Sequence, residues 1–554
     1  MVNRFLNHKS KTVFSAAMVL AITGLISRIL GLFRDRLLAG KFGAGDELDI
    51  YFAAFRLPDL IYNILIIGAI SSAFIPIFAQ YFRKDEKEAW RLTSGLFNLI
   101  LIGLVVISLV LILFAPWIVS IIAPGFSGEK KEMTVILTRI MFLSPLLLGM
   151  SSILSGVLQY FHRFFVYSLA PIMYNLGIIF GILFFVPKMG LVGLAWGVAL
   201  GAFLHFLMQL PSVIYSGFKL RLNFRLHEGI KKIIKLTIPR TIGLVGSQIN
   251  YVVITALASS LAIGSVAIFN LANNLQYVPI GIIGISFALA VFPSLASSHA
   301  EENKKKFSDN FTSIFNQILY LVLPISVIFF VLRAQIVRLI LGTGQFGWVD
   351  TRLTAAALGI FAISVFAQSL IPLISRAFYS VNNTKTPVSI SLISIGLNVG
   401  LSFGLVWILN NHNFISQLFS ETYRVQGIKN FAVLGLPLAF SLANIFNFSV
   451  LLKYFDKKIG QWNGKMILDS AYKMIISCVV MAIVIYGSLQ VFDFFFDTHK
   501  FTGLLMQSGI ATLIGVAIYF LTSFILKMPE PRILINKIIH PKNIQPLPQE
   551  NEPE

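Results

Sequence analysis

Apolar runs of about 20 residues recur along the whole chain, beginning near Thr12, Asp49, Thr93, Thr134, Val166, Leu191, Ile238, Ser265, Phe311, Leu353, Val388, Phe431, Met466 and Gly503. At 1.5 Å of rise per residue, each is long enough to cross a hydrocarbon core of roughly 30 Å as a helix. Such runs constrain the fold because lipid offers backbone groups no hydrogen-bond partner, so only helices or closed barrels can span it. A barrel strand would instead show a short alternating pattern. The prediction is an all-α integral membrane protein with about fourteen transmembrane helices. Composition agrees: 56% of residues are hydrophobic and 12% charged, with a mean hydropathy of +0.81, where a soluble chain carries about 25% charged residues.

The first run follows Arg4, Lys9 and Lys11, as a secretion signal would. Arg28 interrupts it and no small-x-small cleavage site follows, so it is expected to stay as the first span. The single cysteine, Cys478, lies in the thirteenth run and excludes a disulfide within the chain. A net charge of +20 raises the question of nucleic acid, and the placement of the charge answers it. Most loop Lys and Arg fall in the N-terminal tail and in every second loop, with clusters such as Arg83-Lys84, Lys231-Lys232 and Lys304-Lys305-Lys306, while the alternate loops hold one or two basic residues each. That asymmetry is the positive-inside pattern. It puts both termini in the cytoplasm, makes membrane lipids the neighbours of the basic loops, and leaves nucleic acid as no partner.

The chain also repeats itself. Asn175-Leu-Gly-Ile-Ile-Phe-Gly181 in the fifth run is matched by Asn398-Val-Gly-Leu-Ser-Phe-Gly404 in the eleventh, about 220 residues later. Phe74-Ile-Pro76 is matched by Val291-Phe-Pro293, and Pro124-Gly-Phe126 by Gly344-Gln-Phe346, in the same order and at nearly the same offset. Two homologous six-helix lobes around a central cavity, followed by two C-terminal helices, are therefore expected. The boundaries read as 1–217 for the first lobe, 218–236 for an interfacial linker, 237–456 for the second lobe, 466–527 for the last two helices and 528–554 for a cytoplasmic tail. In the linker, Phe218, Leu220, Leu222, Phe224 and Leu226 alternate with basic residues, as suits a membrane interface.

Ionisable groups inside spans point to the cavity, because each costs about 2.5–3.5 kcal/mol at a helix centre. Gly24, Arg28, Gly31 and Asp35 share one face of the first helix, with Arg34 turned away from it. Asp49, Arg56, Asp59 and Asn63 share a stripe on the second, beside Pro58, which bends the helix and frees a carbonyl. The seventh carries Arg240, and the eighth carries Asn270, Asn273, Asn274 and Tyr277 on one face without formal charge. Such a chamber, charged on one side and polar on the other, suits an amphiphile with an anionic head. The competing reading is that these groups pair with one another to hold helices together. Arg139, His162, His205, Gln209 and Arg376 are read as structural.

Ser27-Arg-Ile-Leu-Gly-Leu-Phe-Arg-Asp35, Phe42-Gly-Ala-Gly45, Asp49, Phe55-Arg-Leu-Pro58, Gly68-Ala69, Ala115-Pro-Trp117, Ala123-Pro-Gly-Phe126, Pro293-Ser-Leu295 and Lys385-Thr-Pro387 closely resemble the MviN/MurJ family, the lipid II flippases of bacterial cell-wall synthesis. The resemblance runs along the whole chain. It implies a MATE-like fold and alternating access that carries an undecaprenyl-pyrophosphate-linked saccharide-peptide from the cytoplasmic to the outer leaflet of the bacterial inner membrane. It also implies a monomer, with the cell-wall synthesis machinery as a candidate partner. Carried over, the family's first-helix arginines and acid fall on Arg28, Arg34 and Asp35, and its second-helix acid on Asp49. Arg28 and Arg34 are then expected to hold the pyrophosphate, and Gly24, Gly31 and Pro58 to serve as hinges. The pattern is broken at Tyr62, Ile67 and Asn274, where the family carries charge. Either Arg56 and Arg240 supply positive charge from other positions, or the cargo is another polyprenyl-linked saccharide or a hydrophobic cation.

No enzyme is expected. The chain has no Walker A pattern, and the nearest acidic and imidazole cluster, Asp493, Asp497 and His499, reads as a solvated loop. No cofactor is predicted. Asp35, Asp49 and Asp59 could bind a coupling proton or sodium ion, or the arginines could respond to a membrane potential, which is worth about 2.3 kcal/mol per charge per 100 mV.

Overall fold

The computed structural model describes residues 13–64, 70–219, 227–411, 413–428, 431–460 and 462–532, the side chains of 13–17, 70–72 and 238–244 excepted. All secondary structure among the described residues is helical. Ten helices there are long and apolar enough to cross a membrane, and Trp348–Ala362 with Val365–Ser380, bent by 44° at a short break, makes an eleventh. The other expected runs, near Thr12, Asp49 and Ile238, adjoin or contain residues outside the described set. The chain divides into two compact units, Met1–Ala267 and Ile268–Glu554.

The first unit holds α1 (Val13–Phe42), α2 (Asp46–Tyr62), α3 (Ile70–Lys84), α4 (Glu86–Leu113), α5 (Ala115–Ile122), α6 (Gly128–Met141), α7 (Leu143–Tyr160), α8 (Phe164–Phe180), α9 (Val186–Met189), α10 (Leu191–Tyr215) and α11 (Glu228–Ser259). Its core gathers Phe74, Phe78, Leu92, Leu154 and Val157, all buried. In lipid, helices gain little from apolar burial and associate by close packing instead. The first copy of the repeated motif shows how. A Cβ on Gly177 would lie 2.3 Å from Gly201 Cα, and one on Gly181 would lie 2.4 Å from Gly197 Cα, so α8 and α10 meet backbone to backbone. Past Gly181 the helix widens into a π turn, Gly181–Phe185. In the second copy, Gly400 and Gly404 have nothing within 4 Å. Gly181→Val is therefore expected to lower stability by about 1–3 kcal/mol, and Gly404→Val to change it by less than about 0.5 kcal/mol. Thermal melts of the two detergent-solubilised variants would check this; equal melting points would contradict it.

Pro58 interrupts α2 and offers no N–H to the Ala54 carbonyl, which instead accepts from Thr138 Oγ1 at 3.5 Å. The helix α11 starts inside the segment expected as a linker. Ile230 and Ile233 are buried there while Lys231, Lys232 and Lys235 are exposed, the amphipathic division of a helix lying at an interface. His227 caps it: Nδ1 accepts from Gly229 N at 3.0 Å, and Nε2 meets Glu88 Oε2 at 3.0 Å.

The helix α12 (Ser265–Pro279) leads into the second unit, which continues with α13 (Ser286–Ala300), α14 (Lys304–Val331), α15 (Arg333–Ile340), α16 (Trp348–Ala362), α17 (Val365–Ser380), α18 (Lys385–Asn410), α19 (Phe414–Thr422), α20 (Gly435–Lys458), α21 (Gly464–Asp493) and α22 (Phe501–Ile525). The helix α14 is its centre. Phe311 stacks on Phe455 of α20 at 4.3 Å. The last two helices join this core: Tyr519 OH donates to the Tyr320 carbonyl at 2.9 Å, and Tyr320 OH lies 3.0 Å from Ser523 Oγ.

Candidate functional site

Within the first unit, α1, α2, α7, α8 and α10 enclose a cavity of roughly 280 Å³, lined by Arg34, Phe55, Pro58, Asp59, Tyr62, Ser144, Leu148, Pro171, Tyr174 and His205. Helical phase turns Arg34 away from the Arg28–Asp35 face, but its long stem brings the guanidinium back over Asp35. Nε and Nη2 donate to Asp35 Oδ1 at 3.0 and 2.8 Å, and Nη1 donates to Asn175 Oδ1 at 3.2 Å. Asn175 is held in turn, since its Nδ2 donates to the Pro171 carbonyl at 3.1 Å and lies 3.3 Å from both Ser27 O and Oγ. The repeated asparagine thus orients an arginine 141 positions away in the chain. Gly31, beside Asn175 Oδ1, leaves room for this junction.

The donor set of Arg34 is only partly taken up by Asp35 and Asn175. Three of its contacts go to Asp35 and Asn175, while a guanidinium carries five N–H groups in a planar fork that fits phosphate oxygens. Phe55, Tyr62 and Tyr174 add aromatic surface around it. Deeper along the wall, Gln209 Nε2 donates to Ser151 Oγ at 2.7 Å, and that hydroxyl meets His205 Nδ1 at 2.7 Å. Gln209 is therefore joined through Ser151 to His205, which lines the cavity.

Other expected site residues stand elsewhere. Asp49, 2% exposed, accepts from Gly264 N at 2.8 Å, Ala267 N at 2.9 Å and Lys130 Nζ at 3.1 Å. A carboxylate at the start of a helix meets unpaired N–H groups and the positive end of the dipole, so Asp49 is committed to anchoring α12. The same junction packs Gly264, at φ +85, against the Ala44 carbonyl, and Gly125 N donates to Ser259 Oγ at 3.2 Å. Arg56 is engaged with α11, donating from Nε to Thr255 Oγ1 at 2.8 Å and lying 5.2 Å over the Tyr251 ring. Asn63 donates from Nδ2 to the Asp59 carbonyl at 2.8 Å. Arg28 is half-buried on α1 but does not line this cavity, and Gly24 is exposed. The side chain of Arg240 and residue Ile67 lie outside the described residues.

In the second unit Asn270 is buried and Asn274 half-buried on α12. Their face continues into an uncharged relay that the sequence reading missed. Gln276 Nε2 donates to Asn273 Oδ1 at 3.0 Å, Gln368 Nε2 donates to Gln276 Oε1 at 3.0 Å and to Ser364 Oγ at 2.9 Å, and Ser364 Oγ donates to Ser441 Oγ at 3.1 Å. Gln276, three residues after Asn273, was a legible extension of that face; Gln368 had no local signal. Of the loop cluster, Asp493 accepts from Gln507 Nε2 at 3.2 Å and Asp497 accepts from the His499 amide at 3.0 Å. That amide, with Lys500 beside it, holds the exposed Asp497 carboxyl below the usual carboxylate range.

The family model described as "Lipid II flippase MurJ" matches residues 38–507. A relative from Buchnera aphidicola subsp. Schizaphis graminum, called "Probable lipid II flippase MurJ", is 30% identical over 526 residues, covering 92% of this chain and 97% of its own. Among solved structures, "Lipid II flippase MurJ, inward closed conformation" aligns at 25% identity with a TM-score of 0.74, covering 94% of this chain and all of that one. An inward-facing multidrug resistance MATE family transporter of the MOP superfamily aligns at 17% identity with a TM-score of 0.63, over 80% of this chain and 98% of its own, a likeness of fold. Matched by the family model over residues 38–507 and by a 30% identical relative across nearly its whole length, the chain belongs to the lipid II flippase MurJ family.

Proposed function

We propose that this protein is a lipid II flippase that moves the lipid-linked peptidoglycan precursor from the cytoplasmic to the outer leaflet of the bacterial cytoplasmic membrane by alternating access, with both termini in the cytoplasm. The observation that carries the proposal is Arg34, a guanidinium inside an apolar helix, steered by Asp35 and Asn175 onto a cavity lined with aromatic rings. An arginine there is costly unless it faces a partner or water, and a pyrophosphate offers the paired oxygens its fork fits. Ligand sites commonly span about 300–1,000 Å³. This cavity, near the low end, suits the pyrophosphate end of the molecule rather than its whole headgroup. Asp35 competes for the same guanidinium, which keeps the hold on the phosphates weak enough for release on the other side. Arg28 and Asp59 are proposed as further contacts, and Gly24, Gly31 and Pro58 as the places where α1 and α2 bend. The concentration of Lys and Arg in every second loop supports the orientation.

A second reading, export of another polyprenyl-linked saccharide, rests on Tyr62, Ile67 and Asn274 standing where the resemblance implies charge; the matched family and relatives, named as lipid II flippases, do not favour it. Complementation separates the two: in a bacterium depleted of its own lipid II flippase, expression of this chain is expected to restore growth. Full-level expression in the membrane without rescue would favour the second reading.

A further inference from the structure

The second unit contains another cavity, of roughly 180 Å³, whose wall shares no residue with the one around Arg34. It lies where the N-terminal turns of α14, the start of α21 and the segment after α22 converge, with Asp309, Thr312, Ser313, Asn316 and Glu530 in its wall. Glu530 is 1% exposed, and among the described residues neither of its carboxylate oxygens has a hydrogen-bond partner. Asn316 is 2% exposed; its Nδ2 donates to Ser470 Oγ at 3.3 Å, while Oδ1 is likewise unpartnered among the described residues. Thr312 Oγ1 accepts from Asn463 N at 3.2 Å and keeps a lone pair. Asp309 stands exposed at the rim.

A buried carboxylate without a donor stays ionised only where a counter-charge joins it. The Glu530 carboxylate and Asn316 Oδ1 bring unpartnered oxygens to this wall, with the Thr312 and Ser313 hydroxyls and the Asp309 carboxylate beside them, an oxygen set of the kind hard cations take. Only one full negative charge is buried, which matches a single positive charge. Among the described residues no group of three or more His, Cys, Asp or Glu gathers that could hold a metal ion. We infer that this cavity binds a small monovalent cation, sodium in the first instance, held by the Glu530 carboxylate, Asn316 Oδ1 and the Thr312 hydroxyl, with Asp309 at its entrance. Bound there, the ion ties α14 to the start of α21 and the end of α22, and so fastens the last two helices to the second unit. The inference does not depend on which lipid the protein carries.

The test uses the full-length purified protein in choline chloride at constant ionic strength, titrated separately with sodium, potassium and magnesium chlorides while its melting temperature is followed. Binding to the folded state alone raises stability saturably with ion concentration. The expected result is a saturable rise with sodium that Glu530→Gln abolishes and that Asn316→Ala shifts to at least about tenfold higher concentration. In choline alone, Glu530→Gln melts no lower than the parent, because it removes an uncompensated charge. Should that variant fail to fold, Asp309→Asn at the exposed rim is read instead and is expected to raise the sodium midpoint severalfold. Indifference of the parent to sodium, a response to magnesium only, or a sodium response unchanged in these variants would overturn the assignment.

Discussion

Arg34→Ala is expected to cut transport by at least about 30-fold. Its guanidinium makes two contacts with Asp35 and one with Asn175, and truncating one partner of a buried, hydrogen-bonded charge pair costs about 2–5 kcal/mol. At 1.4 kcal/mol per tenfold, transport of a pyrophosphate-linked lipid should fall by at least about 30-fold. Part of that loss is the penalty of leaving Asp35 charged and buried, and the two parts can be separated. Arg34→Ala combined with Asp35→Asn also removes the buried charge, so the double variant should regain melting temperature without regaining transport. Arg34→Lys keeps the charge but loses the fork, and should fall between the parent and Arg34→Ala. Transport rates and melting points measured on the same preparations check all three. Recovery of transport in the double variant would show that Arg34 serves only to neutralise Asp35.

Asp49→Ala should loosen the start of α12 more than any other single substitution in that region. The carboxylate fills two N-terminal amides of the helix and pairs with Lys130, and its loss combines a missing helix cap, about 0.5–2 kcal/mol, with a broken buried pair, up to about 3–5 kcal/mol. A net cost of roughly 3 kcal/mol is expected, and less for Asp49→Asn, which keeps one acceptor. Lys130 retains Asp46 as a partner, so the cationic side of the junction is not stranded. Hydrogen exchange at the Gly264 and Ala267 amides reports the effect locally: both should exchange far faster in Asp49→Ala, while amides in the α14 core stay protected. Unchanged exchange at these two amides would mean that the helix start is held by the packing of Gly264 against Ala44 instead.

The spans were legible because their length answers to one physical dimension, the thickness of the bilayer, and the repeat was legible because its glycines and asparagines recur in order. Function within the repeat was not. Gly177 and Gly181 close a helix contact while Gly400 and Gly404 face open space, a difference set by which neighbour lies opposite rather than by the motif. Asn175 was visible as a landmark, but its bond to Arg34 joins residues far apart in the chain, which no local pattern encodes. Helical phase separated Arg34 from Asp35 because phase tracks Cβ directions, and a guanidinium four bonds beyond Cβ is free to swing back. Asp49 looked like a site acid for the same reason that Asp35 did. Only the N–H groups of Gly264 and Ala267, supplied by backbone about 220 residues away, show that its charge is spent on a helix terminus. Glu530, in a stretch that reads as an unstructured tail, carried no signal at all; its burial depends on α14 and α21 meeting beside it.

The most direct measurement is leaflet translocation in proteoliposomes that contain the purified protein and lipid II. Lipid II placed on one leaflet should become accessible on the other, at a rate that depends on Arg34. Failure to move lipid II, by protein that is folded and correctly inserted, would contradict the account.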